Sequence, residues 1–291
     1  MPCTARNGIC FIMNMHTDMS FFYLFQFDFI VRSFEAGLLL AVIAPIVGMF
    51  LVVRRYSLLA DALAHVSLLG VALAVFFKIP IFIGALFTSL LAALGIEHLR
   101  RDGRVFGEAI IALFLSSSLA LSVIIMSLSH GLNVNLLSYL FGSLTTVTSF
   151  DVVILFILMI VILLFLLSSY RELFLFALDE DLAKVSGVQV RFLSNAFMVL
   201  AALTVTAALQ MVGVLLIGAL MVVPVLTAMQ WRRGFRTTLL LSVACSLFSV
   251  VSGFFLAYFF NLASGGAIVI VAVLLFAFVY IFSRISSFFS R

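Results

Sequence analysis

Apolar run follows apolar run through this chain, most of them about twenty residues long and separated by a few polar residues. A helix rising about 1.5 Å per residue needs roughly twenty apolar residues to cross about 30 Å of hydrocarbon. Nine stretches meet that length: 33–53, 57–77, 80–97, 107–129, 150–168, 193–209, 211–230, 237–260 and 266–283. With no water available, every backbone N–H and C=O in such a stretch must be satisfied within the protein, which a helix achieves alone. The reading is an all-α polytopic membrane protein with eight or nine transmembrane helices. The count turns on 193–230, which is too long for one crossing. Gln210 and Gly213 offer the break, because a polar side chain and a flexible residue suit a turn between two short helices. Composition agrees: 65% of the 291 residues are hydrophobic and 10% are charged, too little polar surface for a soluble domain. The 33 Phe residues suit lipid-facing surfaces.

Basic residues set the orientation, since Lys and Arg accumulate in cytoplasmic loops. With the first span ending inside, 13 of the 16 fall on the inside, among them Arg54, Arg55, Arg100, Arg101, Arg104, Arg171, Lys184, Arg191, Arg232, Arg233 and Arg236. Arg6, Arg32 and Lys78 are left outside. This predicts a multi-pass protein of the cell membrane with its N-terminus outside and its C-terminus inside. The pI of about 9.2 is read as this bias and implies no nucleic-acid partner.

No linker rich in Pro, Gly or Ser divides the chain, so 33–283 is read as one transmembrane domain. Residues 1–32 form an N-terminal segment without a cleavable signal, in which FFYLFQFDFIVRS lies along the outer interface and Met15 and Met19 are alternative starts. Residues 284–291 form a cytoplasmic tail. Cys3, Cys10 and Cys245 have neither metal-ligand spacing nor an even framework. Two connections are long: an outer loop at 130–149 and a cytoplasmic insert at 168–192. In the insert, Asp179, Glu180 and Asp181 precede Leu182, Ala183, Lys184 and Val185, and Gly187 follows. Acid at the start and glycine after the end predict a short helix. Such a helix either connects two spans or docks a soluble partner.

Inside LLADALAHVSLLGVALAVFF stand Asp61 and His65, a carboxylate and an imidazole deep in an apolar run. Ionisable groups in hydrocarbon cost several kcal/mol and by default mark function. Four residues apart on a helix, the two stack on one face. They supply half of a coordination shell for a divalent first-row metal. The same residue types serve a proton relay, or an ion pair that only fixes packing. Counted from Arg55, His65 lies about 15 Å into the membrane, with Asp61 a turn nearer the cytoplasm.

The other ionisable groups are weaker candidates. Arg104 and Glu108 are expected to pair with each other. Glu35 and Asp151 lie near the outer surface, and Glu97 and His98 at the cytoplasmic edge. His130, Asn133 and Asn135 belong to the outer loop, and His16 to the N-terminal segment. The chain has no G-x-x-x-x-G-K-[ST] phosphate loop and no H-E-x-x-H motif, so an ATP-driven cycle needs a separate subunit.

Six blocks in order resemble the integral membrane subunits of zinc and manganese ABC importers. They are GMFLVVRRYSLLADALAHVSLLGVALA, GRVFGEAIIALFLSSSLALSVIIMS, LLSYLFGSLTTVT, ALDEDLAKVSGV, ALQMVGVLLIGALMVVPVLTA and NLASGGAIVIVAVLLF. The resemblance covers about residues 20–283. It departs at Ala64, where the family commonly has Ser, and at SGGA 264–267, where the family has a proline-containing turn.

The resemblance implies a homodimeric permease bundle above a cytoplasmic ABC ATPase dimer, served by an extracytoplasmic metal-binding protein. Asp61 and His65 would then meet the metal, which is substrate; zinc is favoured over manganese, and no prosthetic group is expected. The coupling segment, about 171–192, would act through Leu178, Asp179, Glu180, Asp181, Leu182, Ala183, Lys184 and Gly187. Gly213, Gly218 and Ala219 would allow close helix packing and Pro224 a kink in a gating element. The alternative is an ion-coupled secondary transporter with Asp61 and His65 as its proton relay. A membrane metallohydrolase lacks a full ligand set here, and a vitamin or siderophore permease gives no reason for a buried Asp and His.

Overall fold

The computed structural model describes residues 28–103, 106–128, 142, 147–260 and 262–289. Eleven helices lie among the described residues: α1 (Asp28–Val53), α2 (Leu59–Phe77), α3 (Ile81–Arg101), α4 (Gly107–Leu128), α5 (Ser149–Ser168), α6 (Tyr170–Leu178), α7 (Glu180–Val185), α8 (Val190–Val212), α9 (Val214–Met229), α10 (Phe235–Phe260) and α11 (Ser264–Phe289). Eight of them are long and apolar enough to cross a membrane, and the shorter apolar helix Leu216–Met229 lies within α9. The nine expected spans therefore each carry a helix.

The expected break falls at Gly213, a single residue between α8 and α9 with φ +83°. An L side chain rarely adopts that backbone, so glycine permits one residue to end one helix and start the next. The first and last helices extend past their expected spans. Helix α1 starts at Asp28, with its apolar span from Ile30, and α11 runs through Arg284 to Phe289. The SGGA block opens α11 and is not a turn. Arg104, His16, His130, Asn133, Asn135, Cys3, Cys10 and most of the outer loop lie outside the described residues.

Packing sorts the helices into two groups. Most of the positions along α1, α2 and α8 are buried, whereas α4, α5 and α11 turn most of theirs outward. Outward faces such as Leu113, Val123, Phe156 and Leu274 suit lipid. Helix α9 presses on α1 so closely that a Cβ at Gly48 would lie 1.9 Å from the Met221 carbonyl oxygen. Small residues of this kind let membrane helices approach backbone to backbone.

The helix ends define two faces. Phe235, at the start of α10, meets Phe50 near the end of α1 and Phe174 of α6, with ring centroids 5.5 and 5.3 Å away. Ser283 near the end of α11 donates to the carbonyl of Gln230, just after α9 (3.4 Å). Arg101, the last residue of α3, donates to Asn195 near the start of α8 (2.8 Å). One face therefore gathers the ends of α1, α3, α9 and α11 with the starts of α8 and α10. It follows that α8 and α9 run antiparallel, and that α1 begins and α11 ends on opposite faces. Asp151 was expected only as a hydrated acid near a surface. It closes a capping box at the start of α5, accepting from the Thr148 backbone N–H (2.9 Å).

Candidate functional site

Asp61 stands in the first turn of α2, and His65 follows one turn later on the same face. Because α2 begins at Leu59, His65 lies six residues, about 9 Å, along it. Both side chains are partly buried, and neither has a hydrogen-bond or ion-pair partner among the described residues. His65 Nδ1 is buried outright. A polar ring atom held away from water without a partner costs free energy, so something outside this arrangement has to offset that cost.

Helix α9 forms the opposite wall. A Cβ added at Gly218 would lie 1.8 Å from Asp61 Oδ1 and 2.7 Å from its Cγ. The carboxylate thus occupies the space that the missing side chain leaves. Of the residues expected to pack closely or gate, Gly218 touches the acid directly. Gly213 lies at the α8–α9 turn, and Pro224 lies inside α9, where it has no N–H to give to the Leu220 carbonyl. Ala64 is fully buried. Two residues past His65, Ser67 of α2 and Thr206 of α8 share a buried hydrogen bond of 3.1 Å, a polar link with no signal in the sequence pattern.

Among the described residues, no three or more His, Cys, Asp or Glu side chains gather into a metal-binding group. Among the described residues, Asp61 and His65 are the two donors on this helix face. A four-coordinate zinc shell or a larger manganese shell would need further ligands.

A second polar cluster lies where α3, α7 and α8 meet the end of α1. Glu97, read from sequence as an edge residue, has a side chain only 1% exposed. It accepts from Arg100 Nε (3.0 Å) and Nη2 (2.8 Å), from Arg101 Nε (3.0 Å) and from Ser194 Oγ (2.6 Å). Arg101 also donates to the Arg191 carbonyl (2.9 Å). Glu180 Oε2 accepts from Arg54 (2.7 Å) and from Arg100 (3.2 Å). Burial alone would raise the Glu180 carboxyl, but Arg100, Arg54 and Lys184 outweigh it and hold it below its ordinary value. The signal in the sequence was Glu97 three and four residues before two arginines, a spacing that lets both guanidiniums reach back to one carboxylate.

The expected short helix is α7. Asp179 caps it, accepting from the N–H groups of Asp181 and Leu182 (2.8 and 3.2 Å), and Gly187 follows it at φ +81°. Helix α6 before it was not anticipated; its Leu173, Phe176 and Ala177 are buried, so YRELFLFAL packs as an amphipathic turn and not as an open loop. The residues expected to couple to an ATPase separate into two sides. Leu178, Leu182 (60% exposed) and Val185 (87% exposed) point outward, while Ala183 is buried and Glu180 turns in toward the arginines.

A model of the ABC 3 transport family matches residues 26–283. The chain belongs to that family. Its relatives include the manganese import system permease protein ScaB of Streptococcus gordonii, 33% identical over 87% of this chain and 91% of that protein. The high-affinity zinc uptake system membrane protein ZnuB of Buchnera aphidicola is 32% identical over 84% of this chain and 94% of that protein. A solved structure of PsaBC from Streptococcus pneumoniae in complex with Fab superposes with a TM-score of 0.78 at 32% identity, over 88% of this chain and 92% of that one. The family membership and the all-α, multi-pass permease fold therefore stand as the sequence implied. The permease shares its family with proteins named for manganese and for zinc alike.

Proposed function

We propose that this permease imports Zn²⁺ or Mn²⁺ across the cell membrane by alternating access, driven by a separate ATPase, with Asp61 and His65 receiving the ion in the pathway. The single observation that carries this reading is the buried, unpartnered His65 Nδ1 one turn from a carboxylate that Gly218 leaves room for. A packing pair would have found a partner within the bundle. Family membership favours an ATP-driven importer over a proton-coupled carrier.

Two copies stand side by side, and the face bearing Arg54, Arg100, Arg101 and Arg191 is cytoplasmic, which puts the N-terminus outside and the C-terminus inside. There the exposed Leu178, Leu182 and Val185 offer the ATPase an apolar ridge. Asp179, Asp181, Lys184 and Gly187 shape and solubilise that ridge. On the opposite face an extracytoplasmic metal-binding protein delivers the ion. Helix α9, with Gly213 before it and Pro224 within it, moves against α2 at Gly218 and opens or closes access to the pair. An imidazole and a carboxylate hold zinc more tightly than manganese by the general affinity order. Zinc is therefore the favoured substrate.

Uptake of radiolabelled zinc and manganese by cells expressing the permease with its ATPase and binding protein tests the reading. ATPase-dependent uptake that Asp61→Ala and His65→Ala abolish, with the complex still assembled, is the expected result. Normal uptake in both variants would make the pair structural and move the pathway elsewhere.

A further inference from the structure

Helix α7 has six residues, too few to hold a helical shape or a position by its own backbone bonds. What fixes it is its inward side, namely buried Ala183 and the Glu180 carboxylate. The two guanidiniums on Glu180 come from different places. Arg54 lies just past the end of α1, and its guanidinium carbon sits 3.7 Å from the centroid of the Phe176 ring of α6. It is thus pinned from two sides. Arg100 lies in the last turn of α3 and grips Glu97 with two nitrogens while a third reaches Glu180.

Beyond Arg54 the chain has little slack. The α1–α2 turn is closed by Tyr56 N–H to the Leu51 carbonyl (2.7 Å) and Leu59 N–H to the Tyr56 carbonyl (2.9 Å). Leu59 then opens α2, and Asp61 is seven residues after Arg54. A displacement of α7 therefore reaches the first turn of the metal helix through one ion pair and one tight turn. On the other branch Glu97 ties the end of α3 to Ser194 of α8. Charge-assisted, multidentate bonds of this kind are short and directional, which suits them to carrying displacement between rigid elements.

We propose that Glu180 is a positioning residue that hands movement of α7 to α2 through Arg54 and to α3 through Arg100, with Glu97 anchoring the α3 branch to α8. The inference rests on the importer reading above and deepens it. The outward residues of α7 meet the ATPase; the inward carboxylate passes the movement on. Because the link runs through charge and reach, it is sensitive to changes that leave the outward ridge intact.

The test measures ATP hydrolysed per metal ion imported in proteoliposomes holding the permease with its ATPase and binding protein. Wild type is compared with Glu180→Gln, which removes the charge, and Glu180→Asp, which keeps it but shortens the reach. The expected result is assembled complexes whose ATP cost per ion rises about tenfold, the size of a typical coupling between sites. Should ATP hydrolysis and import fall together at an unchanged ratio, Glu180 is a staple only and the proposal is overturned. A normal ratio overturns it as well. Should Glu180→Gln fail to assemble, the ratio in Glu180→Asp decides in the same way. The importer reading has its own control: wild-type import must need ATP and must vanish in Asp61→Ala, whatever the ratio does in the Glu180 variants.

Discussion

Asp61 on α2 and Glu97 on α3 are carboxylates of neighbouring helices, and their charges are met in opposite ways. Glu97 accepts four hydrogen bonds from Arg100, Arg101 and Ser194. Asp61 has none among the described residues; it faces a glycine and shares its helix face with an imidazole whose Nδ1 is equally unpartnered. A buried charge that is fully paired is finished: removing either partner strands the other and weakens the fold. A buried acid left open is a cost that the fold carries for something that arrives later. Under the proposed function, one region holds helices together and the other takes a cation.

The contrast breaks most sharply if the two acids respond alike to neutralisation. Glu97→Ala takes the buried carboxylate from two arginines, leaving Arg100 with Glu180 and Arg101 with Asn195 and the Arg191 carbonyl, and is expected to cost about 3 kcal/mol, seen as loss of folded permease in thermal unfolding in detergent. Asp61→Asn is expected to leave unfolding unchanged or slightly raised while uptake falls by at least about a hundredfold, since even groups that only support a metal ligand matter at up to that level. Comparable destabilisation by Asp61→Asn would mean that the acid has a structural partner and that the contrast is false.

A subtler change sharpens the same contrast. Gly218→Ala puts a methyl group where the Asp61 carboxylate now lies, and the carboxylate is the free end of a side chain that can swing aside. Uptake is expected to fall about tenfold or more, with a midpoint of unfolding close to wild type. A large drop in that midpoint would instead mean that the α2–α9 contact is rigid.

The smallest effect concerns pH at α7. The Glu180 carboxyl sits below its ordinary value of 4.5. Its contribution is therefore complete above that value and is lost as pH falls through the lowered one. Stability of wild type relative to Glu180→Gln, followed from neutral to acid pH, should show a gap that closes only at the acid end. A gap that persists into acid would remove the carboxylate from the account.

Much of this was legible one residue at a time. Asp61 and His65 announced themselves because each stood alone in an apolar run, where any ionisable group costs free energy. Asp179 and Gly187 marked the ends of α7 by capping chemistry that depends on a few adjacent residues, and Gly213 marked the α8–α9 break in the same way. Glu97 was passed over because sequence counts distance along the chain and not depth. At the end of its expected span it looked hydrated; α3 runs on to Arg101, and Arg100, Arg101 and Ser194 of α8 close over the Glu97 carboxylate.

By itself the sequence determined the class of solvent, the helices and the buried pair, since these follow from hydropathy, period and local capping. Only the tertiary structure decided that Gly218 faces Asp61, that α7 turns Glu180 toward Arg54 and Arg100, and that Glu97 is sealed. Those facts depend on which helix face meets which across a membrane. In lipid most faces are equally apolar, so no pattern along the chain records the choice.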